Sequence, residues 1–151
     1  MEKKIVCRNR KATFEYNIEE VYQAGIILLG PEVKSLREGR ANLTDSYARI
    51  KRGELFLHNF HINPYPYAHH MNLDPDRTRK LLMKKDEIRR LTGKTEERGF
   101  GLIPLLVYFT KGLAKVDLAL VKGKKKVDKR HSIKEREMKR DLDRERKRER
   151  D

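Results

Sequence analysis

The sequence predicts a mainly β protein, a small antiparallel barrel with flanking short helices and a basic C-terminal tail. Two observations predict the barrel, namely at least five strand-like segments and glycines at the sharp turns between them. A split α+β sandwich is the alternative. The tail is predicted from composition, since residues 123–151 hold 14 Lys/Arg and 8 Asp/Glu.

The first third of the chain predicts a strand, a helix and a second strand. Residues 1–11 are a short basic segment, and residues 12–18 read as a strand that runs into a helix. Asn17 can cap that helix, and Gly25 can end it. Residues 25–30 (GIILLG) are a continuous apolar run, which is typical of a buried strand.

The next segments predict a short helix and a hairpin. Pro31 and Gly39 bracket a helix over residues 31–39, because proline suits the first helical turn and glycine the residue after the last. We expect this helix to plug an end of the core. Residues 47–62 read as two strands that turn at Gly53.

The remaining body predicts a loop, a helix and a second hairpin. Residues 63–76 hold three prolines and read as a loop. Residues 77–99 begin with a basic run and continue as a helix. Residues 100–123 read as a hairpin around Lys111 and Gly112, and alternation after the turn is typical of a half-buried strand. A five- or six-stranded barrel of the oligonucleotide-binding type fits these elements best.

The chain divides into a barrel domain over residues 1–122 and a tail over residues 123–151. The tail carries a net charge of +6, which is 14 cations minus 8 anions, and has four clearly apolar residues. It should be disordered when free, because it cannot bury enough surface to offset its ordering entropy. Ser132 and Glu135 nevertheless form a capping box, so we expect a helix on a polyanionic partner.

The charge points to nucleic acid. The chain carries a net charge of +14 and shows no long apolar run. We therefore expect a cytoplasmic protein that does not engage a membrane, that binds RNA or DNA by counterion release, and that is a monomer when free. Cys7 is the lone cysteine, which excludes an internal disulfide and a cysteine zinc site, and no cofactor or metal is predicted.

Three basic clusters are candidate sites. The first interleaves cations and rings that can hold phosphates and stack on bases, although a charged strand with core aromatics explains it equally well: Arg8, Asn9, Arg10, Lys11, Phe14 and Tyr16. The second offers cations and small polar donors, or merely a helix end and a turn: Lys34, Arg37, Arg40, Asn42, Thr44, Asp45 and Tyr47. The third is best explained as a solvated face: Arg77, Arg79, Lys80, Lys84 and Lys85.

The histidines do not predict an enzyme. His58 and His61 are three apart in a predicted strand and so point to opposite faces, which argues against a shared metal. His69 and His70 are adjacent in a loop, which is poor geometry for one ion. No phosphate loop, nucleophile elbow or paired catalytic carboxylates stand out, so no catalytic residue is assigned.

Several motifs resemble a known family. Residues 9–50, with EVKSLREGRANLTDSY at 32–47, are similar to the signature of small protein B, the bacterial tmRNA-binding family. The segments DPDRTRKLL (74–82), GLIPLLVYFTKGLAKVDLALVKGKKKVDKR (101–130) and IKERE (133–137) match further. The resemblance covers nearly the whole chain, and the motifs in this order are highly specific together.

The resemblance implies a non-catalytic partner of trans-translation. Proteins of this family fold as an oligonucleotide-binding barrel with surrounding helices. They bind the tRNA-like domain of tmRNA and deliver it to ribosomes stalled on truncated mRNA. Their tail occupies the empty mRNA channel and the decoding region as a helix, which agrees with the tail predicted above.

The resemblance also implies site residues. By position, the tmRNA-contacting residues are Asn9, Arg10, Lys11, Tyr16, Lys34, Arg37, Asn42 and Tyr47. The residues that engage the ribosomal decoding region are Gly123, Lys124, Lys125, Asp128, Lys129 and Arg130. The residues that line the mRNA path are Lys134, Arg136 and Lys139.

Two positions depart from the family pattern. Val127 stands where the family often has Tyr or His, so a stacking role cannot be carried over to it, although His131 lies close by. Gln23 stands where many members have Glu, so no charged contact is assumed there. The alternatives to the family function are a general single-strand or structured-RNA binder and a nuclease that uses His58 or His61.

Overall fold

A computed structural model of the chain describes residues 3–67, residues 73–123 and residue 140. The strands in this part of the chain are β1 (Lys4–Arg8), β2 (Tyr16–Ile26), β3 (Ala41–Asn42), β4 (Tyr47–Lys51), β5 (Glu54–His58), β6 (His61–Ile62), β7 (Arg79–Leu82), β8 (Phe100–Thr110) and β9 (Leu113–Gly123). The helices that the structure describes in full are α1 (Ala12–Glu15), α2 (Gly30–Arg37) and α3 (Lys85–Glu96).

Six strands close into a barrel. The hydrogen-bonded order is β8-β4-β5-β7-β2-β9, and β9 pairs back onto β8 to complete the ring. Every pairing is antiparallel. β1 pairs with residues 106–109, in the second half of β8. The predicted small antiparallel barrel with short helices is therefore confirmed, and the closed ring excludes the split α+β sandwich.

The core fills the inside of the ring and its ends. Alternate residues of the strands point inward, as the period of two requires, and Leu57, Leu81 and Leu118 are fully or almost fully buried. Leu36 of α2 and Leu91 of α3 are fully buried in the same cluster. The prediction that the helix over 31–39 plugs the core is confirmed.

The start of the chain differs from the prediction. Residues 12–15 form a helix, whereas residues 16–26 form the long strand β2 rather than a helix capped by Asn17. β2 pairs along β9 from Tyr16 opposite Gly123 to Gly25 opposite Lys115. This ladder, together with the strand preference of β-branched residues in β2, outweighs the local capping signal.

Three further elements correct the prediction. Within residues 25–30 only the first two belong to a strand, and Ile27 is 46% exposed, so the run is not a buried strand. The basic N-terminal segment contains β1, and the basic run after residue 76 contains β7. Both of these strands form by pairing with distant strands, which local patterns do not reveal.

The two hairpins are confirmed, except that residues 61–62 of the first one form β6, which pairs with β3 rather than with β4. β4 pairs with β5 across a turn at Arg52 and Gly53, and β8 pairs with β9 across a turn at Lys111 and Gly112. All four turn residues have positive φ, between 50° and 76°, as tight hairpin turns demand.

The last strand of the barrel, β9, ends at Gly123. This residue is the last of β9 and pairs with Tyr16, one residue beyond the predicted barrel end at 122. Of the remaining tail, Arg140 alone is described, with helical geometry and an exposed side chain. The other residues for which a helix and ribosome contacts were predicted lie outside the described part, so the division into barrel and tail stays a prediction.

Candidate nucleic-acid interface

Four predicted RNA-binding residues line one groove of about 290 Å³, which we call the Asn9 groove: Asn9, Lys11, Tyr16 and Tyr47. Asn9 fixes the approach to it, because its Nδ2 donates to the Pro104 carbonyl at 3.1 Å and its backbone N–H donates to the Leu105 carbonyl at 2.8 Å. The Lys11 carbonyl then accepts from the Glu15 N–H at 2.9 Å to begin α1. The turn is therefore held rigidly against β8.

The Asn9 groove is not uniformly positive. Glu15 and Asp45 line it beside Lys11. Carboxylates accept hydrogen bonds from ribose hydroxyls and base amino groups, whereas the ammonium of Lys11 attracts phosphate. This mixture suits the sugar edge of a folded RNA better than a bare row of phosphates.

Arg10 and Asn42 line a neighbouring open groove, the Arg10 groove, together with Arg8. Asn42 Oδ1 accepts from the Thr44 N–H at 2.7 Å, which shapes the turn after β3. Cys7 is buried at this wall, and burial raises the pKa of its thiol to about 11. The thiol thus stays neutral, and the two arginines supply the charge.

Lys34 and Arg37 do not join either groove. Both lie in the last turn of α2, where cations favour the negative end of the helix dipole. Lys34 Nζ lies 5.4 Å from the centroid of the Tyr65 ring, and Arg37 Cζ lies 5.6 Å from that of Phe109. The eight predicted tmRNA-contacting residues therefore divide among the Asn9 groove, the Arg10 groove and the helix α2.

The basic run after residue 76 is not simply a solvated face. Arg79 is 1% exposed, and its Nε donates to Glu32 Oε2 at 2.7 Å. Its Nη groups donate to the Phe60 and Pro75 carbonyls, and Arg77 Nη2 donates to the other Glu32 oxygen at 2.6 Å. We call these contacts of Glu32 with Arg77 and Arg79 the clasp. The sequence did not reveal it because Glu32 lies on α2, more than 40 residues before the two arginines.

The clasp also governs the ionisation of Glu32. Burial alone would raise the pKa of this carboxyl. The hydrogen bonds from Arg77 and the Leu29 N–H and the charge of Arg79 outweigh burial, so the pKa lies below its ordinary value. Glu32 is therefore a carboxylate that ties α2 to β7.

The histidines do not form a metal site in the described part of the chain, where no three His, Cys, Asp or Glu side chains gather around a common point. His58 and His61 belong to different strands, β5 and β6. His61 Nδ1 lies 3.0 Å from Asp76 Oδ1, and the His58 ring stacks on Tyr47. His69 and His70 lie outside the described residues.

Gln23 belongs to a chain of side-chain hydrogen bonds with Tyr108 and Asp117. Its Nε2 donates to the Tyr108 hydroxyl at 2.8 Å, which in turn donates to Asp117 at 2.9 Å. Burial raises the pKa of Tyr108, so the phenol stays protonated. An amide at position 23 supplies the donor that this chain of hydrogen bonds needs, and a carboxylate would not.

Tyr16 and Tyr47 also line a third groove of about 440 Å³ between β4 and β8, which we call the seam groove. Gly123, the first residue assigned to the ribosome-binding tail, lies at its wall. The tail residues beyond it are outside the described part: Lys124, Lys125, Asp128, Lys129, Arg130, Lys134, Arg136 and Lys139.

Arg49 is a candidate residue that sequence reasoning missed. It lines the seam groove, and its Cζ lies 5.3 Å from the centroid of the Tyr47 ring. The sequence contained a signal for it, because Arg49 lies two residues after Tyr47 in a predicted strand, and such residues share a face.

Among the described residues, none of the helices has the length and apolar character of a membrane span.

Comparisons with known proteins show what the whole chain is similar to. The family model described as SmpB protein matches residues 6–148. The SsrA-binding protein of Syntrophobacter fumaroxidans is 60% identical over 97% of this chain and 91% of its own, and that of Desulforudis audaxviator is 59% identical over 92% and 91%. A chain of the solved structure called "tmRNA-SmpB: a journey to the center of the bacterial ribosome" is 48% identical, with a TM-score of 0.67 over 83% of this chain and 92% of its own.

Proposed function

The chain belongs to the SmpB protein family, and from that premise we propose that its barrel binds the tRNA-like domain of tmRNA and delivers it to ribosomes stalled on truncated mRNA. The SsrA-binding relatives and the likeness to a tmRNA–SmpB structure support tmRNA binding in trans-translation. The observation that carries the proposal is the Asn9 groove, where four residues from three separate segments meet.

The groove's chemistry fits a folded RNA. Lys11 places a cation for phosphate beside two half-buried phenol rings, which can stack on bases or pack against sugars. Glu15 and Asp45 can accept from 2′-hydroxyls, which distinguish RNA from DNA. One of the two amide N–H groups of Asn9 is donated to the Pro104 carbonyl, so Asn9 also positions the turn.

The other predicted contacts extend this surface. Arg10 and Asn42 continue it into the Arg10 groove, which has no acidic residue in its lining. Lys34 and Arg37 present two cations from α2 to a further stretch of backbone. An interface spread over two grooves and a helix matches a bulky structured RNA better than a single thin strand.

The tail acts on the ribosome in this proposal. From Gly123 onward its basic motif engages the decoding region, and Lys134, Arg136 and Lys139 line the mRNA path as a helix. Two observations support this: β9 ends at Gly123, where the barrel ladder stops, and the tail beyond it carries an excess of cations. The capping box of Ser132 and Glu135 provides the helix start.

We also propose that the protein works in the cytoplasm as a monomer when free, with no chemistry of its own. The family and its SsrA-binding relatives are RNA-binding proteins. Intact RNA after long incubation with the protein, with and without divalent metal, is the expected result. Cleavage that is lost in a His58→Ala or His61→Ala variant would contradict the non-catalytic role.

The barrel proposal is tested with charge variants. Arg10→Ala and Lys11→Ala should each weaken binding of the tRNA-like domain several-fold and reduce the salt slope by about one. Arg89→Ala, which removes an exposed cation of α3, is the matched control and should change neither. Unchanged affinity in both groove variants would overturn the assignment.

A further inference from the structure

We propose that the seam groove is a binding site for a single-stranded RNA segment, with a base held between Arg49 and Phe100 and phosphates at Arg49 and Lys122. The proposal rests on the proposed function only in that the partner is RNA. It assigns a role to Arg49, His58, Phe100 and Lys122, which the tmRNA surface does not use.

The groove exists because two barrel strands barely pair. In the described chain β4 and β8 share a single registered pair, Ala48 with Leu102. By contrast, β4 and β5 share five pairs, and β8 and β9 share ten. Backbone of both strands therefore lines the opening, where its N–H and C=O groups can meet the edges of a base.

The groove presents cations and aromatic faces. Arg49 Cζ lies 5.3 Å from the Tyr47 ring centroid, and the His58 ring stacks on Tyr47 at 5.2 Å and 21°. An incoming base can extend this stack on the exposed guanidinium of Arg49. Lys122 Nζ lies 5.4 Å from the centroid of Phe100, which forms the other wall.

The electrostatics favour an anionic strand. None of the residues that line the seam groove is acidic, whereas Glu15 and Asp45 line the Asn9 groove. Aromatic faces with cations beside them and no carboxylate are the features of single-strand sites, where stacking tolerates any base. The two grooves thus suit different forms of RNA.

The position of the groove gives it a role. It shares Tyr16, Tyr47 and Ile103 with the Asn9 groove, and Gly123 lies at its wall. A strand bound here would touch the last residue before the tail. We infer that single-stranded RNA in the seam groove fixes the direction in which the tail leaves the barrel.

Crosslinking tests the site directly. The full chain is irradiated with an oligonucleotide of ten nucleotides that contains 4-thiouridine, and the crosslinked peptides are identified by mass spectrometry. We expect crosslinks at Phe100, which lines the seam groove but not the Asn9 groove. Crosslinks confined to residues 124–151 would overturn the proposal, because they would mean that the basic tail alone captures single strands.

Variants separate this site from the tmRNA surface. Arg49→Ala and Lys122→Ala should each lower the yield of crosslinks to the barrel at least threefold. His58→Ala should lower this yield as much, whereas His58→Phe, which keeps a ring stacked on Tyr47, should leave it unchanged. Lys51→Ala, on the same face of β4 but outside the groove, is the matched control. Undiminished yields in the Arg49 and Lys122 variants would refute the site.

The tRNA-like domain provides the independent readout. Its affinity should stay within twofold in the Arg49 and Lys122 variants, so a loss of strand crosslinks alone supports a separate site. If the Arg49 and Lys122 variants lost binding of both RNAs equally, the two grooves would act as one site, and the proposal would be overturned. Failure of the unmodified protein to bind the tRNA-like domain would refute the proposed function without affecting the strand result.

The same crosslink identifies the source of the strand. Thiouridine placed in tmRNA and, separately, in small-subunit ribosomal RNA gives two complexes for irradiation. A crosslink to Phe100, which lines the seam groove but not the Asn9 groove, names the RNA that carries the thiouridine as the occupant. Crosslinks from neither, although the oligonucleotide reacts, would overturn the role in directing the tail.

Discussion

The buried clasp between Glu32, Arg77 and Arg79 should contribute strongly to stability. Arg79→Met removes the guanidinium but keeps most of the side-chain volume. Glu32 would retain its bonds from Arg77 at 2.6 Å and from the Leu29 N–H at 2.9 Å. Glu32→Leu instead leaves Arg79 buried with only two carbonyl acceptors and with Arg77 beside it.

The magnitudes follow from these remaining partners. Breaking a buried ion pair by removing one partner costs about 3–5 kcal/mol. We expect about 3 kcal/mol for Arg79→Met, because Glu32 stays paired, and about 4 kcal/mol for Glu32→Leu. The double variant leaves no buried charge and should cost about 3 kcal/mol, mainly in lost hydrogen bonds to Phe60, Pro75 and Leu29.

Urea unfolding followed by circular dichroism measures these free energies. The expected coupling is about 4 kcal/mol, since the single costs sum to about 7 kcal/mol. Lys80→Met is the control on the same strand, because Lys80 pairs with Glu54 at 3.3 Å in solvent and should cost below about 1 kcal/mol. Additive costs, or a cost for Arg79→Met equal to that of Lys80→Met, would refute the clasp.

Three other predictions follow from the ionisation states and the tail. The folded-state pKa of Glu32 is lowered, so its contribution is complete above the unfolded value near 4.3 and is lost as pH falls through the folded pKa. The gap in unfolding free energy between the unaltered protein and Glu32→Gln should therefore narrow from pH 6 to pH 3, and a widening gap would contradict it. Cys7, buried with a pKa near 11, should react with a disulfide reagent at pH 8 at least tenfold more slowly than free cysteine, and rapid labelling of the folded chain would refute this. Lys129→Ala with Arg130→Ala should spare tmRNA binding but abolish tagging of stalled peptides, and equal loss of both would contradict the division between barrel and tail.

The hairpins were predictable because their signals are local. Gly53 and Gly112 occupy turn positions with φ of 76° and 75°, which glycine adopts without strain. The alternation of apolar and polar residues on either side of each turn then predicts the strands. The fold class followed from these elements and the number of further strand-like segments.

The long strand β2 was not predictable from its own residues. Asn17 and the glycine at position 25 resemble the ends of a helix, but the segment pairs with β9 about 100 positions away along the chain. The same reason hides β1, which pairs with β8. Local capping preferences amount to about 1 kcal/mol and yield to such a ladder.

The candidate site was only partly predictable. The resemblance pointed to Asn9, Lys11, Tyr16 and Tyr47, which the barrel brings together, but it did not reveal that Glu15 and Asp45 share their groove. Arg79 looked like a surface cation because nothing nearby in the sequence marks Glu32 as its partner. Burial and charge pairing are properties of the closed barrel, not of the basic run.

We propose that the barrel reads structured RNA and leaves the tail free for the ribosome. The most direct test measures binding of the full chain and of a chain ending at Gly123 to the tRNA-like domain and to a single strand of equal length, across a salt series. We predict that both forms prefer the structured RNA and that losing the tail costs less than tenfold in affinity for it. Lack of preference in both forms, or loss of binding with the tail, would contradict the account and leave a general polyanion binder.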